Sequence, residues 1–342
     1  MKIAVDKKSM EAVKKGNEYI YLFRNEKLSE LLETKLHCVY YRNCDQVDIN
    51  LTNYNIDCIK KAKITDEKYD ELPPKKNYKI GIIIPNYNYS ECLDECFKSI
   101  LDQSYQNFEI IFVDDMSTDD SVEKVKKIQE QHPGKIKIVE LKQKRLNGGA
   151  RNEAYLHLSN DVDYVYYVDS DDWLCDLKGL EKINDKLQMQ PDVLFVGMCS
   201  YKRNILRVCF IPEYKDKYEA IDGWSGSCGK VIKKELATRQ ECLYNEGTLK
   251  EDRNQHRKIC IYMKNFALLK APIYCWNQMN SKSVTTVRCV NPMWETSTIR
   301  HYADTLELYL KVKGMDPKID NYLKKKVEET KKEMLEGGDR QW

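Results

Sequence analysis

The chain has 342 residues, 42% apolar and 10% aromatic, enough for one large α/β domain with an appendage and too apolar for a disordered or fibrous chain. Its 56 Lys and Arg nearly balance 54 Asp and Glu, and the net charge of +2 gives no broad attraction to nucleic acid or an acidic membrane. Thirteen cysteines, odd in number and without a C-x-x-C pair, indicate neither a disulfide framework nor a zinc cluster, so a reducing cytoplasm is the expected compartment.

Met1 to Asp6 lacks the apolar core of a secretory signal, and no stretch approaches the roughly 18 apolar residues of a membrane span, so the chain reads as soluble. Residues 1–77 read as a small α/β extension. In it, Tyr19-Ile20-Tyr21-Leu22-Phe23 and Cys38-Val39-Tyr40-Tyr41 are predicted strands around a helical Leu28 to Leu36. The polar stretch from Lys68 to Lys79, with Pro73-Pro74, reads as a connector.

From Tyr78 the pattern becomes strand, helix, strand. The run from Ile80 to Ile84 has the composition of a strand buried on both faces, and Glu91 to Leu101 has helical spacing, with Cys92 and Cys96 one turn apart. A strand at Glu109 to Val113, a helix from Ser121 to Gln131 opened by Ser117 to Asp120, and strands at Lys135 to Leu141 and Tyr164 to Val168 follow. This order predicts a right-handed, mostly parallel sheet flanked by helices, with ligands at the carboxyl ends of the strands. Beyond Pro292, Trp294 to Val312 and Ile319 to Leu335 are predicted helices forming a C-terminal tail over 287–342; Lys324-Lys325-Lys326 reads as a solvated face.

Unusual polar residues fall at those strand ends. Asp169-Ser170-Asp171-Asp172 places three carboxylates in four residues, whose repulsion a hard divalent ion such as Mn²⁺ or Mg²⁺ would relieve. An acidic turn capping the next helix accounts for that cluster equally well. Asp114-Asp115 follows the second strand, and Asn147-Gly148-Gly149-Ala150-Arg151-Asn152 follows the third, giving a glycine turn for close backbone approach and a guanidinium suited to base or phosphate. Together they describe a nucleotide pocket. Neither G-x-G-x-x-G nor G-x-x-x-x-G-K-[ST] is present, which sets aside hydride transfer and P-loop hydrolysis.

Taken in order, Ile82 to Asn88, Ser99 to Ser104, Phe112 to Ser117, Gly148 to Asn152 and Val168 to Trp173 resemble the nucleotide-binding half of family 2 glycosyltransferases with the GT-A fold. The resemblance implies that Pro85 and Tyr87 line the nucleoside pocket, that Asp115 reads uracil, and that Arg151 lies near the base and diphosphate, beside the Gly148 turn. It makes Asp169 and Asp171 the metal-binding D-x-D, Asp171 the more direct ligand. More loosely, Trp224 with Gly229 to Ile232 resembles the acceptor side, and Asn245-Glu246-Gly247 leading to Glu251-Asp252 resembles the motif whose Asp is the catalytic base. Tyr274 to Asn277, with Ser281, Ser283 and Thr285, resembles the closing strand and loop, so the resemblance covers 78–286: 78–175 for the donor and 176–286 for the acceptor.

The expected activity is an inverting transfer from a nucleotide-diphosphate sugar, a UDP-sugar by the resemblance, to an acceptor hydroxyl on a glycan, teichoic acid, lipid-linked sugar, protein or modified nucleobase. Mn²⁺ or Mg²⁺ would sit on the diphosphate and Asp252 would take the proton. His256, one turn after Asp252, reads as a solvated residue of a charged helix. A silent nucleotide-sugar-binding protein and a metal-dependent nucleotidyltransferase remain as other readings.

Overall fold

A computed structural model describes residues 76–281, 283 and 291–336, with the backbone of a short hairpin in which β1 (Val13–Lys15) pairs antiparallel with β2 (Glu18–Ile20). The expected elements at Tyr21 to Phe23, Leu28 to Leu36 and Cys38 to Tyr41, most of the connector before residue 76, and Thr285 lie outside the described residues.

The isoleucine run forms β3 (Ile80–Asn86), buried along its whole length. Helix α1 (Leu93–Leu101) leads to β4 (Phe108–Asp114), α2 (Ser121–Gln131) to β5 (Ile136–Glu140), and α3 (Leu146–Leu156) to β6 (Tyr164–Tyr167). These strands are all parallel in the order β5-β4-β3-β6, and their register sets Asn86 opposite Asp114, aligning the carboxyl ends. The glycines of Asn147-Gly148-Gly149 are not a turn, as the sequence suggested, but the first turn of α3. The reason is distant: the Asp115 carboxylate supplies that helix with its cap, described below.

The second half contributes β7 (Trp173–Leu174), α4 (Gly179–Leu187), β8 (Val193–Lys202), β9 (Ile205–Phe210), β10 (Lys230–Lys233), α5 (Glu251–Tyr262) and β11 (Phe266–Asn277). Strand β10 lies between β6 and β8, antiparallel to both; β11 runs parallel to β8, and β7 pairs antiparallel with β11. The sheet is therefore parallel from β5 to β6 and mixed beyond it. Helices α6 (Met293–Val312) and α7 (Pro317–Leu335) pack on each other, joined through Gly314 at φ 89°.

Alternation along the strands divides the core into two layers. Ile82, Ile84 and Tyr166 face one side, with Phe97, Ile100, Leu180 and Ile183 of α1 and α4. Ile83, Tyr167 and Ile232 face the other, with Ala150, Ala154, Ile259, Leu308 and Leu323 of α3, α5, α6 and α7. A sheet covered on both faces needs consecutive apolar residues, at about 1.5–3 kcal/mol for each large side chain buried. All nine cysteines among the described residues are thiols, eight of them buried, and no described helix is long and apolar enough to cross a membrane.

Candidate active site

At the tip of β3, Asn86 donates through Nδ2 to Asp114 Oδ1 (3.0 Å) and to Ser117 Oγ (3.1 Å). Asp114 also accepts the Ser117 backbone N–H at 2.8 Å, so the first aspartate of the pair shapes the loop. The second acts across space. Asp115 accepts the backbone N–H groups of Arg145 (2.7 Å) and Leu146 (2.8 Å), capping α3. Met116 and Leu146, on either side of that cap, both hold left-handed backbone, φ 65° and 58°, a strain on the order of 1–3 kcal/mol for each residue.

Pro85 is buried in β3, and Tyr87, 42% exposed, follows it. The Lys144 ammonium stacks on the Tyr87 ring and lies 3.7 Å from Asp115 Oδ2. Burial pulls the Lys144 pKa down to about 8 against the opposing pull of Asp115, while burial raises that of Asp115. The structure thus joins Pro85, Tyr87 and Asp115 at one tip and adds Lys144, which no sequence signal marked.

The three carboxylates after β6 have separate surroundings. Asp172 turns inward, accepting from the Tyr274 hydroxyl and the Asn277 N–H (2.7 Å), and so fixes β11. Asp169, its side chain 32% exposed, accepts from Arg151 Nη2 at 2.7 Å. Asp171 accepts from Asn280 Nδ2 at 2.8 Å, and burial together with the charge of Asp169 pushes its pKa up to about 6. The Tyr89 hydroxyl, from the β3 tip, is pushed up by burial and by the charges of Asp171, Asp169 and Asp172, which lie within electrostatic reach of it.

Asp169 and Asp171 suit a hard divalent cation: each has one oxygen without a hydrogen bond from a described residue, and their mutual repulsion favours a shared positive charge. No three metal-ligating side chains converge among the described residues, so such an ion would complete its shell with phosphate oxygens and water.

Arg151 is buried between the halves of the molecule. Its Nη2 meets Asp169, its Nη1 meets Glu251 Oε1 at 2.8 Å, and its guanidinium lies 5.3 Å from the Tyr244 ring centre. In this arrangement it bridges carboxylates instead of facing an open pocket. Gly148 lets α3 approach: a Cβ there would stand 2.8 Å from the Asn245 carbonyl oxygen and 3.1 Å from Glu251 Cβ. Burial raises the Glu251 pKa to about 7; Arg151 opposes the rise and Asp252 adds to it.

Asp252, in the first turn of α5, is half-buried, and neither carboxylate oxygen is hydrogen-bonded to a described residue. The fully buried Lys230 ammonium lies within electrostatic reach of it. Lys230 donates to the carbonyls of Ser225 and Gly226, both at 2.8 Å, and lies 3.3 Å from His256 Nδ1. His256 is buried, not solvated as expected: its Nε2 sits 2.9 Å from the Ala220 carbonyl, which places the proton on Nε2 and leaves Nδ1 to accept from Lys230. Burial and the Lys230 charge hold the imidazole neutral. Helical periodicity cannot reveal such a partner, because Lys230 comes from another element.

Residues 81–207 match the family model described as Glycosyl transferase family 2. That stretch, a little over a third of the chain, resembles glycosyltransferase family 2. The chain is 41% identical over 96 residues to glycosyltransferase GlyA of Streptococcus pneumoniae, covering 28% of this chain and 13% of that protein. It is 32% identical over 113 residues to the processive diacylglycerol beta-glycosyltransferase of Mycoplasma pneumoniae, covering 33% of each. The chain thus spans a third or less of these relatives' lengths. S. aureus TarS 1-349, solved with UDP-GlcNAc, shares the fold at a TM-score of 0.57 and 17% identity, over 76% of this chain and 73% of that one. Mannosyltransferase PcManGT from Pyrobaculum calidifontis, solved with GDP-Man and Mn²⁺, aligns over 79% and 76% at a TM-score of 0.50 and 17% identity. The fold of this chain is GT-A-like.

Proposed function

We propose that the chain is an inverting glycosyltransferase that moves a sugar from a nucleotide-diphosphate donor, a UDP-sugar, to an acceptor hydroxyl. Pro85 and Tyr87 flank the nucleoside, and Asp115 accepts from the base with the lone pairs its cap leaves over. Asp169 and Asp171 hold Mn²⁺ or Mg²⁺, which supplies positive charge to the diphosphate leaving group. Neighbours of the same fold, solved with UDP-GlcNAc and with GDP-Man and Mn²⁺, support a nucleotide-sugar donor.

Asp252 takes the proton from the acceptor hydroxyl as the new bond forms on the sugar carbon, opposite the departing diphosphate. Arg151 neutralises Asp169 and Glu251, which limits the negative charge around Asp252 and ties the base-bearing helix to the acidic tip.

The observation carrying this reading is Asp252 itself: a half-buried carboxylate without a hydrogen bond from a described residue, one position from the Glu251–Arg151–Asp169 bridge. Asp252→Asn tests it. Calorimetry is expected to show unchanged UDP binding, while transfer, or donor hydrolysis where the acceptor is absent, falls at least about a hundredfold. Near-normal turnover would remove Asp252 from the role.

A further inference from the structure

Lys144 comes from the loop between β5 and α3 and meets the β3 tip across space. Its ammonium lies on the Tyr87 ring, 3.7 Å from Asp115 Oδ2, and donates to the Asp115 backbone carbonyl at 3.2 Å. At that separation the carboxylate is an ion-pair partner beyond hydrogen-bond distance, so of the three N–H donors an ammonium carries, the carbonyl takes one. The side chain is 36% exposed. Both arginines of the same stretch are engaged elsewhere: Arg145 is bidentate to Glu246 (3.0 and 2.6 Å) and meets Glu153 at 2.6 Å, and Arg151 joins Asp169 to Glu251.

An acceptor and a donor thus stand side by side at this tip. Asp115 keeps lone pairs beyond those it gives to the Arg145 and Leu146 N–H groups, and Lys144 keeps N–H groups beyond the one on the Asp115 carbonyl. On their Watson–Crick edges, uracil and guanine present the matching pair, a ring N–H next to a carbonyl oxygen; cytosine and adenine present a bare ring nitrogen next to an amino group. Cytosine held in the pose of uracil turns a lone pair to the carboxylate and an N–H to the ammonium, and both contacts fail. Sites built to hydrogen-bond a ligand group reject the analogue lacking it far more strongly than apolar pockets do. Burial has already pulled the Lys144 pKa down to about 8, so the ammonium is poorly solvated where it stands and gains from a further oxygen.

We propose that Lys144 is a specificity-determining residue for the donor base: it covers the Tyr87 ring in the free chain and, when the base takes that face, donates to the carbonyl oxygen beside the ring N–H that Asp115 accepts. This rests on the reading of Pro85, Tyr87 and Asp115 as the nucleoside pocket. It goes beyond that reading in assigning the choice of a keto base to a carboxylate and an ammonium acting as a pair.

The test measures UDP and CDP affinity by calorimetry, with Mn²⁺ present, in the full unaltered chain, in Lys144→Met and in Lys144→Gln. The two nucleotides share ribose and diphosphate, so any loss from a loosened tip or a weakened metal site falls on both and cancels in their ratio. The unaltered chain is expected to prefer UDP, and Lys144→Met to shrink that preference at least about tenfold, the scale of one hydrogen bond to a charged donor. Lys144→Gln, whose amide presents a donor or an acceptor with equal ease, should lose the preference as well. An unaltered chain that binds both nucleotides alike, or a ratio that stays the same in both variants, overturns the assignment and leaves the nucleoside pocket standing. Equal weakening of UDP and CDP belongs to that second outcome and marks Lys144 as a support of the tip. If the unaltered chain binds neither nucleotide, the pocket itself is removed, and Lys144 with it.

Discussion

The Arg151 guanidinium lies 2.8 Å from the carboxylate of Glu251, a residue 100 positions further along the chain, and its other terminal nitrogen reaches Asp169. One buried cation therefore holds the acidic tip after β6 to the helix that carries Asp252. Arg151→Met leaves two carboxylates without their counter-charge and is expected to lower stability by about 3–5 kcal/mol in a denaturant titration. Arg151→Lys should recover only part of this, since one ammonium cannot span both partners as the planar fork does.

Gly148→Ala sets two effects against each other. Helix propensity alone favours alanine by about 1 kcal/mol. The new Cβ would stand 2.8 Å from the Asn245 carbonyl oxygen, a backbone atom that cannot swing aside. Overpacking of this kind costs about 1–3 kcal/mol, so a net loss is expected in thermal melting, with a drop in turnover as Glu251 is displaced. A stabilised variant would show that α3 has room to recede.

Glu251 gives the chain a pH dependence of definite sign. Its pKa in the folded chain is about 7, above the ordinary 4.5, so between those values the folded state binds the extra proton. The group's contribution to stability is full below about pH 4.5 and is lost as pH rises to about 7. Glu251→Gln is expected to flatten that part of the stability profile, measured by urea unfolding from pH 4 to 8. An unchanged slope would assign it to another group.

Chelation of divalent ions is expected to weaken UDP binding by the unaltered chain. Asp171→Ala should bind UDP as weakly as the chelated chain and respond to neither chelator nor added Mn²⁺. Undiminished metal-dependent binding by Asp171→Ala, read by calorimetry, would move the metal elsewhere.

Much of the fold is local in origin and was legible. The apolar run of β3, the strands ending at Asp114 and Tyr167, and helices α1, α2, α5, α6 and α7 follow from period and composition, because each buries its own pattern. What the sequence hid depends on partners far away. Gly148 and Gly149 looked like a turn because glycine usually marks one, yet the Asp115 carboxylate, some 30 residues earlier, caps a helix through them. His256 looked solvated among charged neighbours because the Ala220 carbonyl and Lys230 that enclose it come from other elements. The antiparallel insertion of β10 carries no local signature at all, since four residues, Lys230–Lys233, fix neither neighbour nor direction. The candidate site was legible as a set of residue types at strand ends; the ion pairs that connect them were not.

That short strand decides whether the two halves can be parted. Among the described residues, Val231, Ile232 and Lys233 supply the strand partners of Tyr166, Val165 and Tyr164 on the side away from β3. A fragment ending near residue 175 would keep β3 to β6 and their tips yet present an aromatic strand with bare amides and carbonyls, a template for edge-to-edge association. Exchanging the first half between chains of this architecture therefore means transplanting a seam as well, or accepting aggregates.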